Sequence, residues 1–302
     1  MRLAGACHAV PWLLAAAVFA SACRAVNPFP PAPRPPPHAI TAPVRTGARL
    51  AVSWIGHASA LVQMDDKLIL TDPVFTARVG LLSQRTVAPA MRPEALPPVD
   101  AVLISHMHFD HLSLGSLEAI EDKVRRAYVP EGGLVYLGDM GFDAVDLAPF
   151  ASFDDGGLRV TAVPVKHNGM RYGADVQWMH AFTGYVVEYH GLRVYFGGDT
   201  GYARSEFTTT GLHFPGLDLA LLPIAPLHPR AFMRASHMDP EEALQAMLDL
   251  GAAKMVPIHY DTIANSTDAP GEALSSLRVA MRLAKLEERV EVLEIGETRV
   301  LR

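Results

Sequence analysis

The chain has 302 residues, of which 50% are hydrophobic, and a formal net charge of −6. That much apolar material can bury a substantial core, as one large or two small domains. The weak negative balance supplies no basic field for a nucleic-acid partner and is compatible with a neutral or zwitterionic substrate. No internal repeat is visible.

The first residues read as a targeting segment. Arg2 is a minimal positive region, and Pro11 to Ala20 is an apolar run too short to span a bilayer comfortably. It ends in Ala20-Ser21-Ala22-Cys23. Small residues before a cysteine fit a bacterial lipoprotein cleavage site, with Cys23 lipidated; ordinary signal cleavage after Ala22 fits the same residues. The expectation is therefore an exported, cell-envelope protein. It is lipid-anchored through Cys23 in the outer membrane facing the periplasm, or else periplasmic. The two cysteines are Cys7 and Cys23, so the mature domain offers no disulfide, cysteine nucleophile or thiolate ligand. From Asn27 to Pro43 the chain is proline-rich, which favours extended polyproline II and predicts a semi-rigid spacer. The expected organisation is a signal peptide at 1–22, a lipidated cysteine and spacer at 23–48, and a folded domain at 49–302.

Within that domain Leu50 to Ile55, Ala60 to Met64 and Lys67 to Thr71 are strand-like, with Asp65-Asp66 as a turn. Ala101 to Ile104 reads as a buried strand, Leu114 to Arg125 as a helix, and Ala127 to Val129 and Leu158 to Val165 as strands. Phe182 to Tyr189 and Leu192 to Phe196 form a hairpin around His190-Gly191, and Leu217 to Ile224 is a further strand. Asp239-Pro240-Glu241-Glu242 carries the N-cap, first-turn proline and capping box of a helix that Gly251 ends. Lys254 to Ile258 is a strand, followed by a helix from Gly271 to Leu286 and two strands near Val290–Leu293 and Thr298–Leu301. Strands in runs with a few helices predict an α+β fold of two sheets with helices outside.

The chemistry concentrates in Ser105-His106-Met107-His108-Phe109-Asp110-His111, directly after an apolar strand. Alternate side chains of an extended segment share a face, so His106 and His108 converge, and Asp110 and His111 can aim at a second point. Imidazole and carboxylate suit zinc, iron or manganese. His167, Asp199 and His259 also follow β-like runs, where ligands can be held rigidly, and Gly197-Gly198 allows close backbone approach at Asp199.

His106-x-His108-x-Asp110-His111 resembles the metal signature of the metallo-β-lactamase superfamily. Trp54-Ile55-Gly56-His57, Thr71-Asp72-Pro73, Gly197-Gly198-Asp199-Thr200-Gly201 and His237-Met238-Asp239-Pro240-Glu241-Glu242 resemble the branch that contains the N-acylphosphatidylethanolamine-hydrolysing phospholipase D enzymes. The resemblance runs from about Leu50 to the C-terminus and implies a four-layer αβ/βα sandwich. It implies two zinc ions (iron or manganese being alternatives), one on His106, His108 and His167 and one on Asp110, His111 and His259, with Asp199 bridging. It also implies a metal-bridging hydroxide as nucleophile, which two neighbouring ions would make available near neutral pH. Asp110 would orient it or accept its proton, and His237 would bind substrate phosphate or donate a proton. His57 either holds a ligand or is a buried structural histidine; Asp72 either bonds a ligand imidazole or forms its turn. His180, His190, His213 and His228 have no spacing that recruits them.

The expected function is a phosphodiesterase of the phospholipase D kind, acting on a phospholipid or related diester. One segment departs from that branch: Asn168 and the stretch Met170 to Met179 stand where those enzymes carry tryptophan and a tryptophan-glycine-tryptophan element. A lactone, thioester or amide hydrolase of the same fold, or a non-catalytic lipid-anchored envelope protein, are the alternatives.

Overall fold

Apolar runs buried on both faces build two sheets in the computed structural model of the chain, which describes residues 32–80, 83–172, 175 and 179–302. The first sheet has seven strands, in spatial order Thr298–Val300, Leu50–Gly56, Ser59–Met64, Lys67–Thr71, Ala101–Leu103, Arg126–Pro130 and Asp143–Leu147. Pairing is antiparallel as far as Lys67–Thr71 and parallel beyond it. The second has six strands, Lys254–Ile258, Leu219–Pro223, Leu192–Phe196, Gly184–Tyr189, Leu158–Val163 and Ser152–Asp155. Its first three strands pair in parallel and the rest antiparallel.

The sheets face each other across a shared apolar layer. Val62, Met64, Ile69 and Leu103 of one and Val187, Val194, Phe196 and Leu221 of the other line the same space. The helix Pro240–Leu250 lies between Arg204–His213 and Glu272–Ala284, and contacts the strand Leu219–Pro223. Its start carries the expected reciprocal cap: Asp239 accepts from the Glu242 amide at 2.9 Å, and Glu242 from the Asp239 amide at 3.3 Å. Gly251 ends it in the left-handed conformation, at φ 65°. This is the αβ/βα sandwich that the family resemblance implies.

Several expectations need correction. The helix expected from Leu114 to Arg125 stops at Glu118, because Val124 bridges to Val99 and the backbone of Lys123 and Arg125 bonds to Val99 instead. In place of the strand expected at Val290–Leu293 there is a single bridge from Val290 to Met255 of the edge strand, closed by the Glu291 amide on the Met255 carbonyl at 2.8 Å. The spacer expected at 23–48 is docked over its last part. The Arg34 amide bonds to the Thr86 carbonyl, His38 to Ile295 and Ile40 to Ala90, and the Ile40 side chain is buried in the core. The folded unit thus begins at Pro33 rather than Arg49. Polyproline geometry leaves backbone groups free, and here carbonyls of neighbouring turns and loops take them. The signal segment 1–22 and Cys23 lie outside the described residues.

Candidate metal centre

The strand Ala101–Leu103 is followed by Ile104, and Ser105 begins the loop that carries four of the expected ligands. Asp72, at the end of the neighbouring strand, organises this loop. Its carboxylate accepts from the Ser105 amide at 2.7 Å, the Ser105 hydroxyl at 2.6 Å and His111 Nδ1 at 2.6 Å. With its hydrogen given to Asp72, Ser105 Oγ accepts from His106 Nδ1 at 2.9 Å. His108 uses its other nitrogen, Nε2 donating to Asn168 Oδ1 at 3.2 Å.

The second sheet delivers one residue from each of three strand ends. His167 Nδ1 donates to the Ser236 carbonyl at 3.0 Å, and His259 Nδ1 to the Ala225 carbonyl at 3.1 Å. Asp199 is placed by Gly198, which has φ 55° and lies so close to Ser105 that a Cβ would come within 2.2 Å of the serine Cβ. His57, Asp72 and His259 adopt positive φ without being glycine, a strained backbone of the kind that clusters at functional sites.

In this way each of the five imidazoles has one nitrogen tied and presents the other to a common centre. His106 Nε2 lies 2.9 Å from His108 Nδ1, and His167 Nε2 lies 3.3 Å from that same atom. On the other side His111 Nε2 and His259 Nε2 are 3.2 Å apart, with Asp110 Oδ2 at 3.8 and 3.7 Å. Between the sets, Asp199 Oδ1 is 3.1 Å from His259 and Oδ2 is 3.3 Å from His111. His106, His111 and Asp199 also form a compact trio.

These groups fit bound metal. Ligand atoms about 2.0–2.1 Å from one tetrahedral zinc are about 3.3 Å from each other. Bare imidazole nitrogens aimed at one another repel unless a cation lies among them. Asp199 Oδ1 and His237 Nδ1 are buried with no hydrogen-bond partner among the described residues. Electrostatics agree. Burial disfavours charge on His111 and His259, but the Asp199 and Asp110 carboxylates outweigh it, holding His111 well above the usual imidazole range and His259 up at about 9. Burial likewise opposes charge on Asp199 and Asp110, yet the surrounding imidazoles hold both well below the usual carboxylate range. Burial and neighbouring imidazoles push His106 and His167 well down.

His57 and His237 complete the surroundings. Burial pushes His57 down to about 3. As a neutral ring it donates from Nε2 to Asp110 Oδ2 at 3.2 Å and accepts from the Thr262 hydroxyl at Nδ1, also 3.2 Å. His57 thus bonds Asp110, and Asp72 bonds His111. His237 precedes the capped helix, its carbonyl held by Arg230 at 2.9 Å, and its Nδ1 lies 3.5 Å from Asp199 Oδ2. Burial pushes it down to about 4, which leaves the ring neutral near pH 7. Sequence reasoning missed the tying role of Ser105, Thr262 and Asn168; adjacency to a ligand was the signal available for Ser105 and Asn168. Gly173, Ala174, Val176, Gln177 and Trp178, in the segment that departs from the phospholipase pattern, lie outside the described residues.

An αβ/βα sandwich with histidine and aspartate gathered at the strand ends of both sheets defines a metallo-hydrolase type of protein. Residues 67–260 match the family model described as a beta-lactamase superfamily domain. The chain belongs to the metal-dependent hydrolases of the metallo-β-lactamase superfamily. It is similar to an uncharacterised protein of Mycobacterium tuberculosis, 37% identical over 77% of this chain and 64% of that protein. The chain thus spans just under two thirds of the mycobacterial relative. It is also similar to N-acyl-phosphatidylethanolamine-hydrolyzing phospholipase D 1 of Caenorhabditis elegans, 30% identical over 75% of this chain and 68% of the other. Among solved structures it resembles Igni18, a metallo hydrolase from Ignicoccus hospitalis, with TM-score 0.63 and 25% identity over 83% of this chain and 97% of that one.

Proposed function

We propose that this protein is a binuclear, zinc-dependent phosphodiesterase of the phospholipase D kind, cleaving a phospholipid or related diester. The observation that carries the reading is the arrangement of two ligand sets about one buried carboxylate. His106, His108 and His167 would hold one ion, Asp110, His111 and His259 the other, and Asp199 would touch both. Bound there, two such ions would lower the pKa of a water toward neutrality and stabilise negative charge on the substrate. The choice of a phosphodiester rests on the similarity to the nematode phospholipase.

The chain's own groups divide the remaining work. Asp110, whose carboxylate accepts from the His57 N–H, would orient the attacking water and take its proton. His237, beside Asp199, can donate its N–H to a phosphoryl oxygen and so fix the diester for in-line attack. A place in the cell envelope, with Cys23 lipidated, would bring this site to lipid substrates and is part of the same proposal.

The test is metal analysis of the full chain together with hydrolysis of a bis-aryl phosphate, an N-acylphosphatidylethanolamine, a lactone and a cephalosporin. Near two ions per chain, with diester cleavage lost in Asp110→Ala and His259→Ala, is the expected result. Cleavage of the lactone or cephalosporin alone would replace the phosphodiesterase with a carbonyl hydrolase.

A further inference from the structure

Arg171 is buried, 8% exposed, and no carboxylate among the described residues forms an ion pair with it. Leaving a guanidinium in that state is costly unless its donors are used. Nη1 is used on the ligand loop, while Nε is buried without a hydrogen-bond partner among the described residues. Nη1 donates to the Met107 carbonyl and to the Leu112 carbonyl, each at 2.8 Å. The guanidinium also stacks on the Phe109 ring, its central carbon 4.1 Å from the ring centroid. One nitrogen therefore pins both ends of the stretch Met107 to Leu112, and the flat face of the same group holds its middle.

That stretch contains His108, Asp110 and His111, one member of the first ligand set and two of the second. Its own backbone ties are few: the His111 and Leu112 amides both bond to the His108 carbonyl, at 3.1 and 2.8 Å. Arg171 is itself anchored. Its amide donates to Asp175 Oδ2 at 2.8 Å, the Tyr172 amide donates to Asp175 Oδ1 at 2.9 Å, and the Tyr136 hydroxyl also donates to Asp175.

We propose that Arg171 is a positioning residue for the metal centre, clamping the loop Met107–Leu112 so that both ligand sets form at once. The proposal rests on the binuclear reading above. It is specific to the planar, forked guanidinium, because an ammonium cannot serve two carbonyls and stack on Phe109 together.

The full-length chain and its Arg171→Met and Arg171→Lys variants are stripped with a chelator, checked for fold by circular dichroism, and titrated with Zn²⁺ against a chromophoric chelator. Groups that orient ligands typically govern metal affinity by about 10- to 100-fold. The expected result is a weakening of that size in Arg171→Met, affecting both ions, and a smaller one in Arg171→Lys. A Co²⁺-loaded Arg171→Lys protein should show a changed ligand-field spectrum. A folded Arg171→Met chain that binds two ions with wild-type affinity overturns the proposal, even if its metal-free form melts earlier. Should Arg171→Met not fold, wild-type affinity in Arg171→Lys overturns it and weakened affinity supports it. A wild-type chain that takes up no Zn²⁺ overturns the binuclear reading, and this proposal with it; unequal loading of wild type and variant separates the two.

Discussion

The two sheets contribute to the centre in different ways. The first supplies His106, His108, Asp110 and His111 from one loop, tied by the side chains of Asp72, Ser105 and His57. The second supplies His167, Asp199 and His259 from three separate strand ends, where backbone carbonyls tie the two histidines and a glycine seats the aspartate. A side-chain tie can be deleted by substitution with the backbone left in place. A carbonyl tie fails only when the backbone moves. The first side should therefore respond to mutation through metal affinity, and the second through stability and metal content together.

Asp199→Ala should have the largest effect, because that carboxylate lies between both sets. Metal analysis should show fewer ions per chain, and hydrolysis should fall by on the order of 10³-fold. Gly198→Ala should break the second side through the backbone, since a Cβ there meets Ser105 at 2.2 Å in a left-handed conformation. A loss of about 3 kcal/mol is expected, read by denaturant unfolding of the metal-free chain. Asp72→Asn should break the first side with little cost in fold. It should weaken zinc binding about 10- to 100-fold in chelator competition, as His111 loses the charged acceptor that fixes its tautomer.

Proton release offers a finer probe. His259 is held up at about 9 in the metal-free protein, so below that pH it is protonated and a metal ion must displace the proton. Calorimetry in buffers of different ionisation enthalpy should show proton release on loading at pH 7 that shrinks as the pH passes about 9. Release that is independent of pH across this window would contradict the assigned cause. The smallest effect is expected for Asp239→Ala, which removes the helix cap beside His237 and should cost about 1 kcal/mol with metal content unchanged.

The same contrast explains what could be read from the sequence. Four candidate ligands in one loop form a motif by their spacing, and the strand ends before His167, Asp199 and His259 are marked by apolar runs. The capping box at Asp239 was legible because its chemistry is local. The polar edge strands Asp143–Leu147 and Ser152–Asp155 carry little apolar alternation and exist through pairing with their neighbours. The helix Arg204–His213 is threonine-rich and buries only Phe207 and Thr210, so no apolar stripe announces it. Docking of the segment from Arg34 to Ile40 depends on carbonyls from residues 86, 90 and 295, far away in the chain. Arg171 was invisible for the same reason: its partners lie 59 and 64 residues away and are backbone oxygens, which leave no trace in side-chain pattern.

The most direct test of the account is anomalous diffraction from crystals of the zinc-loaded full-length chain, recorded at the zinc edge. Two peaks about 3.5–4 Å apart, on either side of the Asp199 carboxylate, are predicted. A single peak, or none among these histidines, would contradict the binuclear centre.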